Sequence, residues 1–233
     1  RPAQTVRFKM IKNCPACRSR LIKNQAFWVC ENEECESRVI NSLIHFCSRT
    51  CMNIQDLGEK TIETLFNLGF IKSIQDIYNL HTHRNELIAL EGYKDRSVDK
   101  ILKEIELSKQ MPFKTLLFAL GIPNVGKKVA GLITKHFKNI DAILGASVAE
   151  IGEIKEIGPI IAVSLFIFFK SNKGRSLVEF FKANGFVLKE AETTFKVSYF
   201  TDKKVLITGT LKNYKRAELQ EILTQLGANI VFS

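Results

Sequence analysis

The chain has 233 residues, enough for one large domain or two to three small ones, and its hydrophobic fraction of 45% excludes global disorder. Lys and Arg outnumber Asp and Glu by 34 to 24, and the formal net charge of +10 favours a polyanionic partner without identifying one. The longest apolar run, about ten residues, is too short to span a membrane, and six cysteines without a visible signal peptide indicate a cytoplasmic, metal-binding protein rather than a disulfide-linked one.

The first predicted element is a small metal-binding finger. Residues 1–13 form a basic lead-in. Residues 14–42 are too few to build a hydrophobic core of their own, so they need a crosslink to fold, and a metal ion is the obvious one. Four cysteines there follow the spacing C-x2-C-x12-C-x4-C: Cys14, Cys17, Cys30 and Cys35. Four thiolates satisfy the tetrahedral preference of zinc and leave no position open for a substrate, so the pattern predicts a structural zinc site. The alternatives are unpaired or disulfide-linked cysteines, or an iron–sulfur cluster.

Residues 43–188 are predicted to be helical, because apolar residues recur there at spacings of three and four. Cys47 and Cys51 lie four apart on one face of a predicted helix and would exceed the four ligands of zinc. We therefore predict that both pack in the core like small apolar residues. The run from Ile160 to Phe169 predicts a buried helix.

The helical region contains four copies of one unit: an apolar residue, two others, a second apolar residue, usually glycine, and then a helix. The copies are residues 54–58, 90–94, 122–126 and 154–158, so the last position recurs at intervals of 36, 32 and 32 residues. Intervals of this size indicate an array of helix-turn-helix units. A tetratricopeptide-like scaffold is the alternative, although its Trp, Tyr and Pro signature is not evident.

Glycine before each helix predicts phosphate binding. We expect the turn to need a positive φ, which glycine adopts freely, and an open backbone that a ligand can approach. The amides of a first helical turn lack intrahelical partners, and together with the helix dipole they bind phosphate without reading bases. The predicted DNA-binding residues are Gly58, Lys60, Arg96, Gly126, Lys127, Lys128 and Gly158.

The four turns are not expected to be equal. Those at Gly58 and Gly126 should hold phosphates best. Gly158 precedes Pro159, which brings neither an N–H nor a charge, so this turn is predicted to be mainly structural. Lys94 stands where glycine is expected, and we predict a strain there of about 1–2 kcal/mol.

The last part of the chain changes pattern. Residues 189–202 predict a polar linker, and residues 203–233 predict a strand, a helix capped by Gly227 and a second strand, which is the start of a parallel βαβ unit. Two strands cannot bury both faces, and the chain begins without Met. We therefore expect it to be part of a longer protein. The predicted fold is mainly α: a small four-cysteine zinc finger, a four-repeat helix-hairpin-helix domain and a truncated α/β start.

Nearly the whole chain resembles the C-terminal part of the bacterial NAD-dependent DNA ligases. The matching stretches include "NCPACRSRL", "HFCSRTCMNIQDLGEKTIETL", "LLFALGIPNVGKKVA" and "IGEIKEIGPIIAVSLFIFF". The resemblance implies that the four clustered cysteines bind zinc. It also implies that residues 1–13 lead out of an OB-fold and that residues 203–233 begin a BRCT domain.

The resemblance also implies a function. Members of this family transfer AMP from NAD to the lysine of a K-x-D-G motif and then to the 5′-phosphate of a nick. This chain has no such motif. We expect it to supply no catalytic residue and to hold nicked duplex DNA, in replication and repair, for the adenylation and OB domains of the same polypeptide, where NAD and Mg²⁺ act. The expected location is the bacterial cytoplasm at the nucleoid, without a membrane partner.

Other functions remain open at this point. Asp56 stands where the family usually has the first glycine of the first turn, and its carboxylate is expected to repel phosphate. A non-catalytic helix-hairpin-helix module of another repair protein is the main alternative. Further alternatives are a degenerate ligase paralogue, a base-excision glycosylase using an acidic residue such as Asp141, and a scaffold that binds only protein.

Overall fold

A computed structural model describes residues 10–24, 26–190, 198–201, 203–209, 211, 214 and 216–231. The chain divides into a larger unit, Arg1–Glu190, and a smaller one, Ala191–Ser233. Most of the predicted lead-in, residues 191–197 and 202 of the predicted linker, and Phe232 at the end of the last predicted strand lie outside the described residues. Lys189 and Glu190, placed in the linker by sequence, pair through their backbones with the helical part of the larger unit.

The larger unit begins with the finger. Strands β1 (Ile22–Asn24) and β2 (Phe27–Val29) pair antiparallel, with Ile22 opposite Val29, and lie between the two cysteine pairs. Helix α1 (Glu36–Cys47) starts directly after Cys35. The predicted boundary between residues 42 and 43 therefore falls inside one continuous helix.

Ten further helices complete the larger unit, and a short 3-10 turn, Leu80–His83, follows α3. The helices are α2 (Glu59–Asn67), α3 (Ile74–Asn79), α4 (Arg84–Ile88), α5 (Asp95–Ser108), α6 (Phe113–Ala119), α7 (Lys127–Phe137), α8 (Ile140–Gly145), α9 (Val148–Gly152), α10 (Pro159–Lys170) and α11 (Asn172–Ala183). No helix in the described part of the chain is long and apolar enough to cross a membrane.

The helices form two similar halves, α1–α5 and α6–α10. Each half contains two of the predicted turns, which we call hairpins 1 to 4 (residues 54–58, 90–94, 122–126 and 154–158). The equivalent connecting helices α3 and α8 both begin with a side-chain cap, Ser73 in one and Asn139 in the other. Buried positions also correspond, as Val98 and Ile101 of α5 do with Ala162 and Leu165 of α10. The repeat in the sequence is thus a duplication of a five-helix arrangement.

Two hydrophobic cores correspond to the two halves. The first is built on α1–α5 and the second on α6–α10, with full burial of large side chains such as Phe46 and Ile62 in one and Ile133 in the other. Each such side chain contributes about 1.5–3 kcal/mol by leaving water. Helix α11 joins the cores, because Phe181 packs in the first and Val178 in the second.

Two predictions about apolar residues have different outcomes. Cys47 and Cys51 are both buried in the first core, as predicted, but the prediction that they share one helix is wrong, because α1 ends at Cys47 and Cys51 lies in the turn that follows. The run from Ile160 to Phe169 is helical, but the prediction that this helix is buried is wrong for one face. Ile160 is 70% exposed and Ile167 is 62% exposed, because α10 packs on the second core only through the face that carries residues such as Ala162, Leu165 and Phe169.

The smaller unit has the predicted strand–helix–strand order. Strands β3 (Lys204–Leu206) and β4 (Asn229–Val231) pair parallel, with Val205 opposite Ile230, and α12 (Arg216–Gln225) connects them. Gly227 has a φ of +85° just after α12, as expected for a glycine that ends a helix. A small core forms around Ile207, Leu223 and Ala228.

Candidate metal centre and nucleic-acid interface

The four predicted zinc ligands come together. The Sγ atoms of Cys14, Cys17, Cys30 and Cys35 all lie within 4.8 Å of one another. Cys14 and Cys35 are 3.9 Å apart and Cys17 and Cys30 are 3.5 Å apart, sulfur to sulfur. Four sulfurs at zinc-bond length around one tetrahedral ion would be about 3.8 Å apart. The donor set therefore fits a metal ion such as zinc in both chemistry and spacing.

Local structure explains how the four sulfurs converge. In the first knuckle the amide of Cys14 donates to the carbonyl of Ser19, and Arg18 takes a left-handed φ of 63° that turns the chain back. In the second, Cys35 is the residue that precedes α1. Hydrogen bonds from the side chain and backbone of Ser19 lower the pKa of the Cys17 thiol to about 6, whereas burial raises the pKa of Cys30 to about 12. Because metals bind thiolates, binding must displace the Cys30 proton.

The hairpins share one backbone geometry, and it differs from the predicted one. The residue directly before each helix was expected to have a positive φ. Instead φ is −77° at Gly58, −79° at Gly126 and −85° at Gly158, with ψ near that of an extended strand. The left-handed residue is the third of each hairpin, two positions earlier. These residues are Asp56 (65°), Gly92 (84°), Asn124 (65°) and Glu156 (74°).

The prediction of strain at Lys94 is therefore wrong. Lys94 has a φ of −134°, which any L-residue adopts without cost, and the left-handed position of the same hairpin is occupied by Gly92. Hairpin 2 forms a regular turn that leads into α5. What sets it apart is that the Lys94 amide donates to the Ser97 hydroxyl at 2.9 Å, so this donor is already satisfied.

The glycines before α2, α7 and α10 face open space. A Cβ added at Gly58, Gly126 or Gly158 would meet no atom within 4 Å. Neither φ nor crowding within the fold requires glycine at these positions. A missing side chain does, however, leave the first amides of the helix open to an external group.

Helices α2, α7 and α10 begin without a side-chain cap, as α1, α4, α5 and α6 also do, but among the described helices of the larger unit only these three begin directly after a glycine. Helices α3, α8, α9 and α11 each begin with a serine or asparagine whose side chain accepts a hydrogen bond from a first-turn amide: Ser73, Asn139, Ser147 and Ser171. No side chain caps α2, α7 or α10 in the described structure. Their open amides and the positive end of the helix dipole suit an anion.

Basic side chains accompany the open helix ends. Lys60 is the second residue of α2, Arg96 the second of α5, and Lys127 and Lys128 the first two of α7, and all four are exposed. Within the described residues, no ion pair involves Lys60, Arg96 or Lys127. Lys128 is paired with Glu156 of hairpin 4.

Comparison with known proteins identifies what this arrangement resembles. A family profile described as "Helix-hairpin-helix motif" matches residues 115–178, which include hairpins 3 and 4. The DNA ligase of Acholeplasma laidlawii is 36% identical over 225 residues, covering 96% of this chain and 34% of that protein. DNA ligase 1 of Clostridium acetobutylicum is 40% identical over 222 residues (94% and 33%), and the DNA ligase of Brevibacillus brevis is 37% identical over 238 residues (100% and 36%). The resemblance to bacterial DNA ligases is confirmed. The chain spans about a third of the length of these DNA ligases.

The structure also shows polar contacts near the hairpins that sequence reasoning missed. Asp56 of hairpin 1, expected to repel phosphate, is paired with Lys100 of α5 at 2.7 Å, so its charge is compensated. Asn124 of hairpin 3 donates to Ser164 of α10 at 3.2 Å. Both lie at the third residue of a hairpin, and an alignment of the four repeats would have drawn attention to that position.

Other acidic groups near the hairpins are engaged as well. Asp95 and Asp99 of α5 both accept hydrogen bonds from Arg84, which lowers the pKa of Asp99 and raises that of Arg84. Asp141, considered as a glycosylase residue, forms a surface ion pair with Lys182.

Proposed function

We propose that this chain is the DNA-binding part of an NAD-dependent DNA ligase and holds nicked duplex DNA through its sugar–phosphate backbone during replication and repair. The observation that carries this proposal is the set of three uncapped helix ends, each opened by a glycine that the fold itself does not require. Such ends bind phosphate oxygens through backbone amides. Because every nucleotide offers the same phosphate, the contacts position the duplex without reading its sequence.

In this proposal α2 and α7 contribute most. The amides after Gly58 and Gly126 donate to phosphate oxygens, and the exposed Lys60 and Lys127 add positive charge. Arg96 supplies charge at hairpin 2, where the Lys94 amide is not available. Gly158 opens α10 beside Pro159 without a nearby first-turn cation, so hairpin 4 is chiefly structural.

Zinc is the ion we propose for the four-cysteine centre. Four thiolates complete its coordination, so it would stabilise the finger and take no part in phosphodiester chemistry.

The sequence has no K-x-D-G motif to carry AMP. The adenylation and OB domains, with NAD and Mg²⁺, would therefore belong to the remaining two-thirds of the ligase, which we expect in the bacterial cytoplasm at the nucleoid.

Replacing the hairpin glycines tests the proposal. Alanine at Gly58 or Gly126 fits the observed φ and meets no neighbour, so the fold should keep its stability. Its Cβ would obstruct the approach of a phosphate to the amides. We expect each of Gly58→Ala and Gly126→Ala to weaken binding of a nicked duplex about tenfold, the effect of losing one hydrogen bond to a charged group. Fluorescence anisotropy measures the affinity and thermal unfolding the stability.

The matched control is Gly145→Ala. Gly145 ends α8, also has open space where a Cβ would go, and belongs to no hairpin. It should leave DNA affinity unchanged. The proposal fails if both hairpin variants bind as the wild type does while the wild type shows salt-dependent binding, or if the wild type does not bind duplex DNA at all.

A further inference from the structure

Three hairpins carry a side chain at the left-handed third position, where Gly92 shows that glycine suffices. A non-glycine residue in this conformation costs about 1–2 kcal/mol, although Asn and Asp tolerate it better than Glu. Each of the three side chains crosses to a helix of the other hairpin in its half. Asp56 reaches Lys100, Asn124 reaches Ser164, and Glu156 reaches Lys128.

These contacts differ in where they end. Lys100 is the sixth residue of α5 and Ser164 is the sixth residue of α10, so the contacts of Asp56 and Asn124 are equivalent and leave the first helical turn free. Lys128 is the second residue of α7, within the first turn. Among the three contacts described, therefore, only that of Glu156 places a carboxylate against a cation that lies beside open helix amides.

The first half provides a natural comparison. Lys60 occupies in α2 the place that Lys128 occupies in α7, and Gly92 occupies in hairpin 2 the place of Glu156 in hairpin 4. Gly92 has no side chain, and Lys60 forms no ion pair within the described residues. The same backbone therefore presents one free lysine and one lysine paired within the chain.

The chemistry of the pair resembles that of a lysine bound to phosphate. The Glu156 carboxylate accepts a hydrogen bond from the Lys128 ammonium, and this contact lowers the pKa of Glu156. The two side chains remain 75% and 49% exposed for Lys128 and Glu156, so a phosphate can reach the same ammonium. An exposed ion pair is weak, and the carboxylate competes with phosphate rather than excluding it.

We propose that Glu156 determines how strongly hairpin 3 holds DNA, because it keeps Lys128 paired within the chain while the equivalent Lys60 is free to bind phosphate. The two halves then differ at this lysine position, where the contact of Lys60 with phosphate is stronger than that of Lys128. This inference rests on the proposed DNA-binding function. It assigns to Glu156 a role in affinity that is separate from forming the turn.

Removing the carboxylate tests the inference. Glu156→Gln should raise affinity for a fluorescein-labelled nicked duplex about two- to fivefold, the range expected for releasing an exposed ion pair. Because Lys128 would then neutralise a phosphate and release a counterion, the slope of log affinity against log salt should steepen by about 0.9. In the wild-type background Lys128→Met should flatten this slope clearly less than Lys60→Met, which should flatten it by about 0.9.

The control and the double variant separate this effect from net charge. Glu153→Gln removes the same charge from an exposed residue that forms no ion pair in the described structure, and should give the smaller gain. The gain of Glu156→Gln should disappear when Lys128→Met is also present. Equal gains from Glu156→Gln and Glu153→Gln, or a gain that survives Lys128→Met, would overturn the inference while leaving DNA binding itself intact. If the wild-type chain did not bind the nicked duplex at all, both the inference and the proposed DNA-binding function would be overturned.

Discussion

Two residues of each hairpin have distinct structural roles. The third residue turns the chain with a left-handed φ, and the fifth opens the following helix with an extended backbone. Only the third position makes a steric demand on the side chain. At the fifth position, glycine at Gly58, Gly126 and Gly158 leaves amides accessible, which points to a ligand rather than to folding.

These two roles predict losses of stability of different size and cause at two residues of hairpin 2. Gly92→Ala forces a Cβ into a φ of 84° and should lower the free energy of unfolding by about 1–2 kcal/mol. Lys94→Gly relieves no strain, because φ is already −134°, and should lower it by only about 0.5–1 kcal/mol through backbone entropy. Urea unfolding measures both. A stabilising Lys94→Gly would show that the strain lies at residue 94 after all.

At the scale of elements, the finger and the first helix are one structure. Cys35 supplies a sulfur to the four-cysteine cluster and directly precedes α1, whose later residues Leu43 and Phe46 are buried in the first core. A metal ion held by Cys35 would therefore fix the start of a helix that also belongs to the hairpin region. The finger has little else to hold it, since among its described residues the core is limited to Leu21 and the cysteines.

Metal removal should consequently act on a defined part of the chain. A chelator, or Cys35→Ser, should abolish amide protection in β1, β2 and the first turn of α1, while α2 to α11 keep theirs because their cores contain no cysteine of the cluster. Hydrogen exchange measures this, and Cys47→Ala, outside the cluster, is the control.

The same centre should respond to pH. Burial raises the pKa of Cys30, and only the thiolate binds, so metal is retained at high pH and released as pH falls. Metal content measured across a pH series should show this direction. Retention of the ion in acid, or exchange protection that survives chelation, would contradict a thiolate-bound structural metal.

At the scale of the whole molecule, duplication explains the helical region. Two five-helix halves have separate cores that α11 joins, and each half presents two hairpins. In the proposed function each half therefore offers one main backbone site, at Gly58 or Gly126, and a second hairpin that contributes less. This suits a long, regular polyanion such as duplex DNA better than a small ligand.

A chimera tests the function in the context of a full enzyme. Replacing the matching third of the Acholeplasma laidlawii DNA ligase with this chain should retain sealing of nicked DNA. With Gly58→Ala and Gly126→Ala together, the chimera should need a higher concentration of nicked duplex for half-maximal rate, since in the proposed function these residues bind DNA and do not carry AMP. The Gly145→Ala chimera should match the parent. An unchanged concentration dependence in the double variant would separate the hairpins from ligation.

The sequence by itself determined the four-cysteine centre, the helical repeat and the parallel strand–helix–strand unit. These follow from spacing, periodicity and composition, which can be read along the chain without knowing which residues meet in the folded structure. Predictions of burial from hydrophobicity alone were less reliable, as the exposed Ile160 and Ile167 show. Whether an apolar side chain is covered depends on which face of its helix meets another element.

Only the tertiary structure decided which turn residue is left-handed and which lysine is free. The φ of Gly58 and Lys94 depends on how the chain enters the helix, and the pairing of Glu156 with Lys128 joins residues 28 positions apart across two hairpins. Sequence periodicity marks equivalent positions but carries no information on what stands opposite them. Contacts between repeats form when the helices of each half pack around their core. These contacts decide whether a charged side chain is paired within the chain or free to bind a ligand.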